Sequence, residues 1–199
     1  MPRDGTFTRD RILAAARGLV IDNGFRATTV EAVIAESGSS KGAFFHHFPC
    51  KRDLADALVA QYVADDLAML EMGLAAAYEA GPDPVERAIA FVRFYEDMAD
   101  EIMSGTTGCL YTSVLVEMDL VDAGTSDPIT KAVAIWRERY AELLVAAVGE
   151  RADIDVPALS DHVFVTFEGA YLLARTTGDA NQMRRQLGVV RRLLEALLR

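Results

Sequence analysis

Hydrophobic residues recur at helical spacing along most of the chain, and residues that begin or end helices bound each stretch. In the first stretch, Ile12, Ala15, Ala16 and Leu19 share one helical face, and Gly24 follows as a natural stop. Strand signals are scarce, so the pattern predicts an all-α chain. About nine helices are expected, near residues 8–23, 28–37, 40–48, 51–78, 84–103, 109–120, 127–148, 156–177 and 181–198.

The first three predicted helices are short and closely spaced. Thr28-Thr-Val-Glu31 has the spacing of a capping box, and Ser37-Gly38 follows one short helix later. Ser39-Ser40 can cap the next helix, and Pro49 disfavours helical geometry in Phe48. Short helices joined by a glycine-containing turn form a helix-turn-helix pattern.

The third helix combines an aromatic inner side with a thin outer side. Phe44 and Phe48 fall on one face, towards the apolar positions of the first two helices (Ile12, Leu19, Val33 and Ile34). Gly42, Ala43 and His46 point away, and Lys41 in the first turn can neutralise a phosphate. This combination suits a helix that enters the major groove of DNA. The alternative is an ordinary three-helix subdomain whose Ser and Thr residues are only caps.

Charge is unevenly distributed. The formal net charge is −10, yet residues 1–52 hold 8 basic and 5 acidic residues, leaving the remainder at −13. A basic head on an acidic body predicts that only the head meets a polyanion. Hydrophobic residues make up 51% of the chain, no run is apolar enough to cross a bilayer, and the two cysteines are far apart. We therefore expect a soluble, cytoplasmic protein without a membrane segment.

Three segments of the head carry a family resemblance. They are Thr8-Arg-Asp-Arg-Ile-Leu-Ala-Ala-Ala-Arg17, Asn23-Gly-Phe-Arg-Ala-Thr-Thr-Val30 and Ser39-Ser-Lys-Gly-Ala-Phe-Phe-His-His-Phe-Pro-Cys-Lys-Arg-Asp-Leu54. In this order they strongly resemble the TetR family of transcriptional regulators, over residues 8 to about 58. The resemblance implies a helix-turn-helix DNA-binding domain at residues 1–52 and a helical ligand-binding and dimerisation domain at residues 53–199. It also implies a homodimer, a double-stranded DNA operator and a small-molecule effector.

The resemblance places the DNA contacts by position. They fall on Thr28, Thr29, Ser40, Lys41, Gly42, Phe45, His46, His47 and Lys51. The family usually has Tyr where this chain has Phe45, so a phosphate-directed hydroxyl is missing. Cys50 is also a poor N-cap for the fourth helix, which predicts a looser start.

The last two predicted helices have the pattern of a dimer seam. In the final helix, the apolar stripe recurs at spacings of three and four, and Val189, Leu193 and Leu198 widen it. Its members are Met183, Leu187, Val190, Leu194 and Leu197. The preceding helix carries small side chains along one side, which allows another helix to approach it closely. A monomer that uses the stripe internally is the alternative.

Aromatic and sulfur-containing residues are concentrated between the head and the last helix, with a few polar residues among them. Such a mixture suits a small-molecule site for an aromatic or other lipophilic effector, although aromatic stripes also form plain core. The predicted effector contacts are Phe91, Tyr95, Met98, Tyr111, Trp136, Tyr140, Phe167, Glu168 and Tyr171.

Two further alternatives differ in class. Cys109, in Gly108-Cys-Leu-Tyr111, stands at a predicted helix start that would lower the pKa of a thiol, so an electrophile- or redox-sensing repressor is conceivable; a buried, inert cysteine is the other possibility. A helical-bundle enzyme acting on a lipophilic substrate is the other alternative. The sequence, however, contains no nucleophile elbow, phosphate loop, dinucleotide fingerprint or paired metal-ligand motif. We therefore expect no catalysis, no cofactor and no metal.

Overall fold

The computed structural model of the protein describes residues 5–105, 110–151 and 153–199. The described residues are largely α-helical and include no strand, which confirms the predicted all-α class. The helices are α1 (Gly5–Asn23), α2 (Val30–Ser37), α3 (Lys41–His47), α4 (Lys51–Glu79), α5 (Pro84–Asp97), α6 (Ala99–Gly105), α7 (Leu110–Leu115), α8 (Met118–Asp122), α9 (Asp127–Val148), α10 (Val156–Thr177) and α11 (Asn181–Leu198). In the described part of the chain, none of them is both long and apolar enough to cross a membrane.

Two helices predicted as single elements are each divided in the structure. The first divides into α5 and α6 at Met98, where the backbone ψ is −2°. The second divides into α7 and α8 around Glu117, whose backbone is extended at φ −97° and ψ 93°. The side chain of Glu117 does not cap α8 and instead accepts a hydrogen bond from the backbone N–H of Arg26, at 3.0 Å. This long-range contact explains why local periodicity overestimates the length of that helix.

The start of α2 corrects the predicted capping box by one residue. Thr29 is the N-cap, and its hydroxyl accepts the Ala32 N–H at 3.1 Å. The Thr28 hydroxyl instead donates to the Gly24 carbonyl at 2.9 Å, and Thr28 is buried. Because the cap lies at Thr29, Glu31 does not occupy the position from which it could complete the box.

The turn between α2 and α3 depends on Gly38. This residue has φ 59°, in the left-handed region that glycine adopts without strain. Gly38 N–H donates to the Ala35 carbonyl, and Ser39 N–H donates to the Ile34 carbonyl, both at 3.2 Å. After the turn, the Ser40 hydroxyl accepts the Ala43 N–H at 3.1 Å and caps α3 as predicted. The turn therefore ends one helix and leads directly into the next.

The chain divides into two compact units. The first comprises Met1–Ala64 and Gly108–Thr130, and the second comprises Asp65–Thr107 and Lys131–Arg199. Helices α4 and α9 each continue from one unit into the other. These units are defined by contacts between residues.

Within the first unit, the segment from α7 to Thr125 contacts α1, the turn after α1, and α4. In addition to the Glu117 contact, the buried Thr125 hydroxyl donates to the Asp56 carboxylate on α4 at 2.6 Å. The Arg52 guanidinium, also on α4, donates to the Ala123 carbonyl. α7 packs on α1. The first unit is thus held by polar contacts between segments that are distant in sequence.

The second unit is built around α11, which packs on α5, α6 and α10. Four residues of the predicted dimer stripe lie in this core with exposures of 0 to 4%: Met183, Leu187, Val190 and Leu194. The prediction that these four side chains form the dimer seam is therefore wrong, because the protomer buries them itself. Leu197, the fifth, remains 38% exposed.

A half-buried ion-pair network joins α5 and α11. Arg191 Nε donates to Glu96 at 2.6 Å, and its Nη1 donates to Glu195 at 2.8 Å. Gly188 allows this approach, because a Cβ built there would lie 2.8 Å from Glu96 Oε1. The absence of a side chain at Gly188 therefore makes room for the carboxylate that Arg191 holds.

We predict that Gly188→Ala fails to give the stabilisation that alanine normally brings to a helix. The methyl group displaces Glu96 from Arg191 and offsets the gain in helix propensity of about 0.5–1 kcal/mol. Gly18→Ala is the matched control, since a Cβ at that exposed position in α1 meets nothing within 4 Å. We expect the free energy of unfolding of Gly188→Ala to lie about 1 kcal/mol or more below that of Gly18→Ala, by urea denaturation at one protein concentration.

A double-mutant cycle isolates the cause. In a Glu96→Ala background the carboxylate is absent. Adding Gly188→Ala there should raise the free energy of unfolding by as much as Gly18→Ala does. Equal stabilisation by both glycine substitutions in the wild-type background would contradict the proposed role of Gly188.

Candidate DNA-binding and effector-binding sites

The predicted recognition helix, α3, is fixed by its two aromatic residues. Phe44 is 0% exposed and Phe48 is 2% exposed, with ring centroids 5.9 Å apart. The Arg9 guanidinium of α1 lies 5.5 Å from the centroid of the Phe48 ring. α3 and α1 pack together, and Ile12 on α1 is also fully buried. Apolar burial thus fixes which side of α3 faces outward.

The outward side of α3 carries most of the predicted DNA contacts. Ser40, Lys41, Gly42, Phe45 and His46 are exposed, and His47 is half-buried. A Cβ at Gly42 would meet nothing within 4 Å, so the helix backbone is open on that side. Lys41 Nζ lies 6.0 Å from the Phe45 ring centroid. Lys41, Gly42, Phe45 and His46 therefore share the accessible side of α3, while Ser40 lies at its N-terminal end and His47 lies beside the buried face.

The two predicted threonines have different surroundings. Thr29, the N-cap of α2, is exposed. Thr28 is 3% exposed, and its hydroxyl is bonded to Gly24. Only Thr29 therefore presents its side chain to solvent.

Lys51, the last predicted DNA contact, is held within the first unit. Its ammonium donates to the carbonyls of Phe25 at 2.7 Å and Arg26 at 3.3 Å, and lies 4.5 Å from the Phe25 ring centroid. Partial burial lowers the pKa of Lys51, and the charge of Glu117 opposes that shift. Lys51 thus closes the turn between α1 and α2.

The start of α4 has a capping contact that sequence reasoning missed. The Asp53 carboxylate accepts the Cys50 N–H at 2.9 Å. An acid at the third helical position often reaches back in this way, so Asp53 was the available signal. It satisfies the backbone N–H of Cys50, whose own side chain is a poor cap.

The predicted effector residues of the second unit form an aromatic cluster. Phe91 stacks on Tyr140 with ring centroids 4.6 Å apart, and its centroid is 5.6 Å from that of Trp136. Tyr95 lies 5.7 Å from Phe167 and 6.1 Å from Trp136, centroid to centroid. Phe94 and Phe164 also join the cluster, at 5.2 Å from Tyr95 and 5.4 Å from Trp136. These seven residues are called the aromatic cluster below.

The other predicted effector residues lie outside these ring contacts. Met98 is half-buried at the end of α5, Glu168 is half-buried on α10, and Tyr171 is buried in the core of the second unit. Tyr111 belongs to the first unit, where its ring centroid lies 5.0 Å from that of Tyr62.

The cluster contains two buried tyrosines with different hydrogen bonding. The Tyr140 hydroxyl donates to the Ala88 carbonyl at 3.3 Å. The Tyr95 hydroxyl makes no hydrogen bond among the described residues, although Tyr95 is only 5% exposed. Burial raises the pKa of both phenols above the ordinary value, so both remain neutral.

Cys109 lies outside the described residues, and the predicted thiol-sensing role stays a prediction. Cys50 is the exposed free cysteine of the described part of the chain. Among those same residues, no three His, Cys, Asp or Glu side chains are grouped so as to hold a metal ion.

The chain matches two family models. Residues 12–58 match the model described as bacterial regulatory proteins of the tetR family. Residues 84–190 match the model described as the tetracyclin repressor-like C-terminal domain, and this match alone covers more than half of the chain. The first match covers α3, α2 and most of α1, and the second covers all seven residues of the aromatic cluster and the first ten residues of α11.

Individual relatives agree with these matches. An uncharacterized HTH-type transcriptional regulator from the lacX 3′ region of Lactococcus lactis subsp. lactis is 22% identical over 174 residues, which are 87% of this chain and 86% of the relative. UidR, an HTH-type transcriptional regulator of Escherichia coli K12, is 28% identical over 126 residues, or 63% and 56% of the two chains.

Solved structures have the same fold. A TetR transcriptional regulator from Chloroflexus aurantiacus aligns with a TM-score of 0.78 at 23% identity, over 96% of each chain. The regulatory protein TetR from Rhodobacter sphaeroides aligns with a TM-score of 0.75 at 22% identity, over 94% of this chain and 98% of that one. With both family models matched in chain order, this chain belongs to the TetR family of bacterial transcriptional regulators.

Proposed function

We propose that this regulator is a repressor that acts in the cytoplasm, binds a pseudo-palindromic operator as a homodimer and leaves it when a small lipophilic effector binds. Residues 1–52 form the DNA-binding domain in this proposal, and residues 53–199 form the effector-binding and dimerisation domain. The observation that carries it is the outward face of α3, which is exposed, open at Gly42 and fixed from behind by Phe44 and Phe48.

The predicted DNA residues take two roles in this proposal. The solvent-accessible ones contact the operator: Thr29 at the start of α2, and Ser40, Lys41, Gly42, Phe45, His46 and His47 in and beside α3. Thr28 and Lys51 position the outward face of α3, because their polar groups already bind the chain near the turn between α1 and α2. Phosphate contacts set the register of the protein on the duplex, while contacts to base edges set its sequence preference.

The dimer is proposed to form through the outer sides of α10 and α11. Six apolar side chains there are 38 to 66% exposed: Val165, Leu172, Leu173, Val189, Leu193 and Leu197. Gly169 is exposed between them, and a Cβ there would meet nothing within 4 Å. A surface of large apolar residues around a glycine allows close packing against its own copy. A dimer would also set two α3 helices at the fixed separation that two half-sites require, roughly 34–36 Å.

The effector is proposed to bind at the aromatic cluster, with Met98, Glu168 and Tyr171 as further contacts predicted from the sequence. The predicted contact at Tyr111, which belongs to the first unit, stays a sequence prediction. Rings from α5, α9 and α10 supply large apolar faces, as small-molecule sites generally do. Binding releases DNA only if the effector prefers the conformation that does not fit the operator. α4 runs from one unit into the other, so it is the proposed mechanical connection.

Selection of bound duplexes from a random pool tests the operator proposal. Enrichment of two inverted half-sites about one helical turn apart is the expected result. Enrichment of a single half-site, or no sequence preference, would contradict a dimer that reads successive major grooves.

We predict that Lys41→Ala weakens operator binding and lowers the slope of log K against log salt by about one unit, because one phosphate contact is lost. The loss should be similar for the selected operator and for unrelated duplexes. Fluorescence anisotropy at several salt concentrations measures both quantities.

Lys131→Ala is the matched control for Lys41→Ala. Lys131 is exposed on α9, in the second unit, and is not among the proposed contacts. It should leave the slope unchanged. A wild-type slope in Lys41→Ala would contradict the proposed phosphate contact.

We predict that Leu172→Glu and Leu193→Glu each convert the dimer to monomer, because a carboxylate buried without a partner is costly. Operator affinity should fall with dimerisation, since one half-site alone then binds. Val145→Glu on α9 is the control, because Val145 is equally exposed at 59% but lies off this surface. Sedimentation velocity at micromolar concentration measures the mass; dimers in both leucine variants would exclude this surface.

A further inference from the structure

The hydroxyl of Tyr95 lies in the interior of the second unit without an acceptor for its hydrogen in the described part of the chain. The residue lies on α5, is 5% exposed, and its oxygen has no partner among the described residues. Buried polar groups are almost always hydrogen-bonded, so an exception requires an explanation. Tyr140, in the same cluster, follows the rule through Ala88.

The groups around Tyr95 cannot accept its proton. Its ring is bordered by Phe91 and Phe94 at 5.2 Å, by Phe167 at 5.7 Å and by Trp136 at 6.1 Å, all between centroids. The indole N–H of Trp136 is a donor only. Trp136 could therefore only donate to the Tyr95 oxygen, and the hydroxyl hydrogen of Tyr95 has no acceptor among the described residues.

The helix that covers Tyr95 approaches closely. A Cβ at Gly73 on α4 would lie 3.1 Å from the Tyr95 ring and 3.2 Å from both Phe91 and Phe94. The backbone of α4 is therefore in contact with the same rings. The rings and the backbone of α4 make this part of the enclosure apolar, which favours flat, uncharged molecules.

Charge further restricts the ligand. Burial raises the pKa of Tyr95, and the negative charge of Asp66 on α4 acts in the same direction. The phenol therefore remains protonated and can donate. The same negative charge disfavours an anionic ligand, such as a carboxylate, at this position.

We propose that the Tyr95 hydroxyl donates a hydrogen bond to the carbonyl oxygen of a planar, uncharged aromatic ketone or a related aryl carbonyl compound. This deepens the proposed function and rests on it, because the aromatic cluster is the proposed effector site. The rings hold the flat body of the ligand, and Tyr95 distinguishes carbonyl compounds from hydrocarbons of the same shape.

Two matched pairs of probes test the assignment: acetophenone with isopropylbenzene, and 9-fluorenone with fluorene. The members of each pair are similar in size and differ mainly in the carbonyl acceptor. Calorimetry measures affinity, and the fluorescence of Trp136, the single tryptophan of the chain, reports binding at the cluster. We expect at least one ketone to bind about five- to tenfold more tightly than its hydrocarbon partner.

Tyr95→Phe removes the hydroxyl and retains the ring. Ketone affinity should fall about five- to tenfold, while hydrocarbon affinity should change less than about twofold. The melting temperature of the unliganded variant should be equal to or above that of the wild type, because no hydrogen bond is lost. Tyr78→Phe is the matched control, since Tyr78 is 50% exposed and packs under the Arg87 guanidinium.

Three outcomes would overturn the inference: no ketone binding by the wild type up to its solubility limit, equal affinity for ketone and hydrocarbon, or unchanged ketone affinity in Tyr95→Phe. Operator release is measured separately. Release by hydrocarbons without ketone preference would leave the proposed function standing and reject the role of Tyr95. Tyr95-dependent ketone binding without operator release would support this inference and count against effector control through the cluster.

Discussion

Burial of Phe44 and Phe48 is the interaction on which the first unit depends. α3 has only seven residues, and an isolated helix of that length is unstable in water. Relative to leaving both rings exposed, their burial contributes roughly 3–6 kcal/mol to the free energy of folding. This contribution can offset the conformational entropy that is lost when so short a helix forms. Because both rings lie on one side, the same burial turns Gly42, Phe45 and His46 outward. The stability of α3 and its accessibility therefore have one cause.

Polar contacts complete the support of α3, and they come from distant parts of the chain. Lys51 binds carbonyls at the end of the turn after α1, while Glu117 accepts the N–H of Arg26 in the same turn. Asp56 and Thr125 make a third connection between α4 and the segment after α8. These contacts fix the turn that leads to Thr29 and α2. A change in the position of residues 117–125 would therefore alter the support of α2 and α3.

The sequence predicted the helices well because apolar spacing and caps are local signals. It was less informative about which surface buries each apolar stripe. Periodicity identifies Met183, Leu187 and Leu194 as one face of α11, but their partners could equally be in the same protomer or in another. The structure places them in the protomer core and leaves Leu193 and Leu197 outside. Similarly, the sequence allows either of the adjacent threonines to cap α2. In the structure Thr29 is the cap, and the Thr28 hydroxyl donates to the Gly24 carbonyl instead.

The two tyrosines of the aromatic cluster show what sequence periodicity cannot distinguish. Tyr95 and Tyr140 are both buried on helices, and both phenols remain neutral. Tyr140 finds the Ala88 carbonyl, so its hydroxyl is part of the fold. The Tyr95 hydroxyl finds no acceptor, and phenylalanine would fill the same space without the cost of burying an unpaired donor, about 1–3 kcal/mol. Stability alone would favour phenylalanine at this position. A ligand that accepts the hydrogen bond would account for the tyrosine hydroxyl.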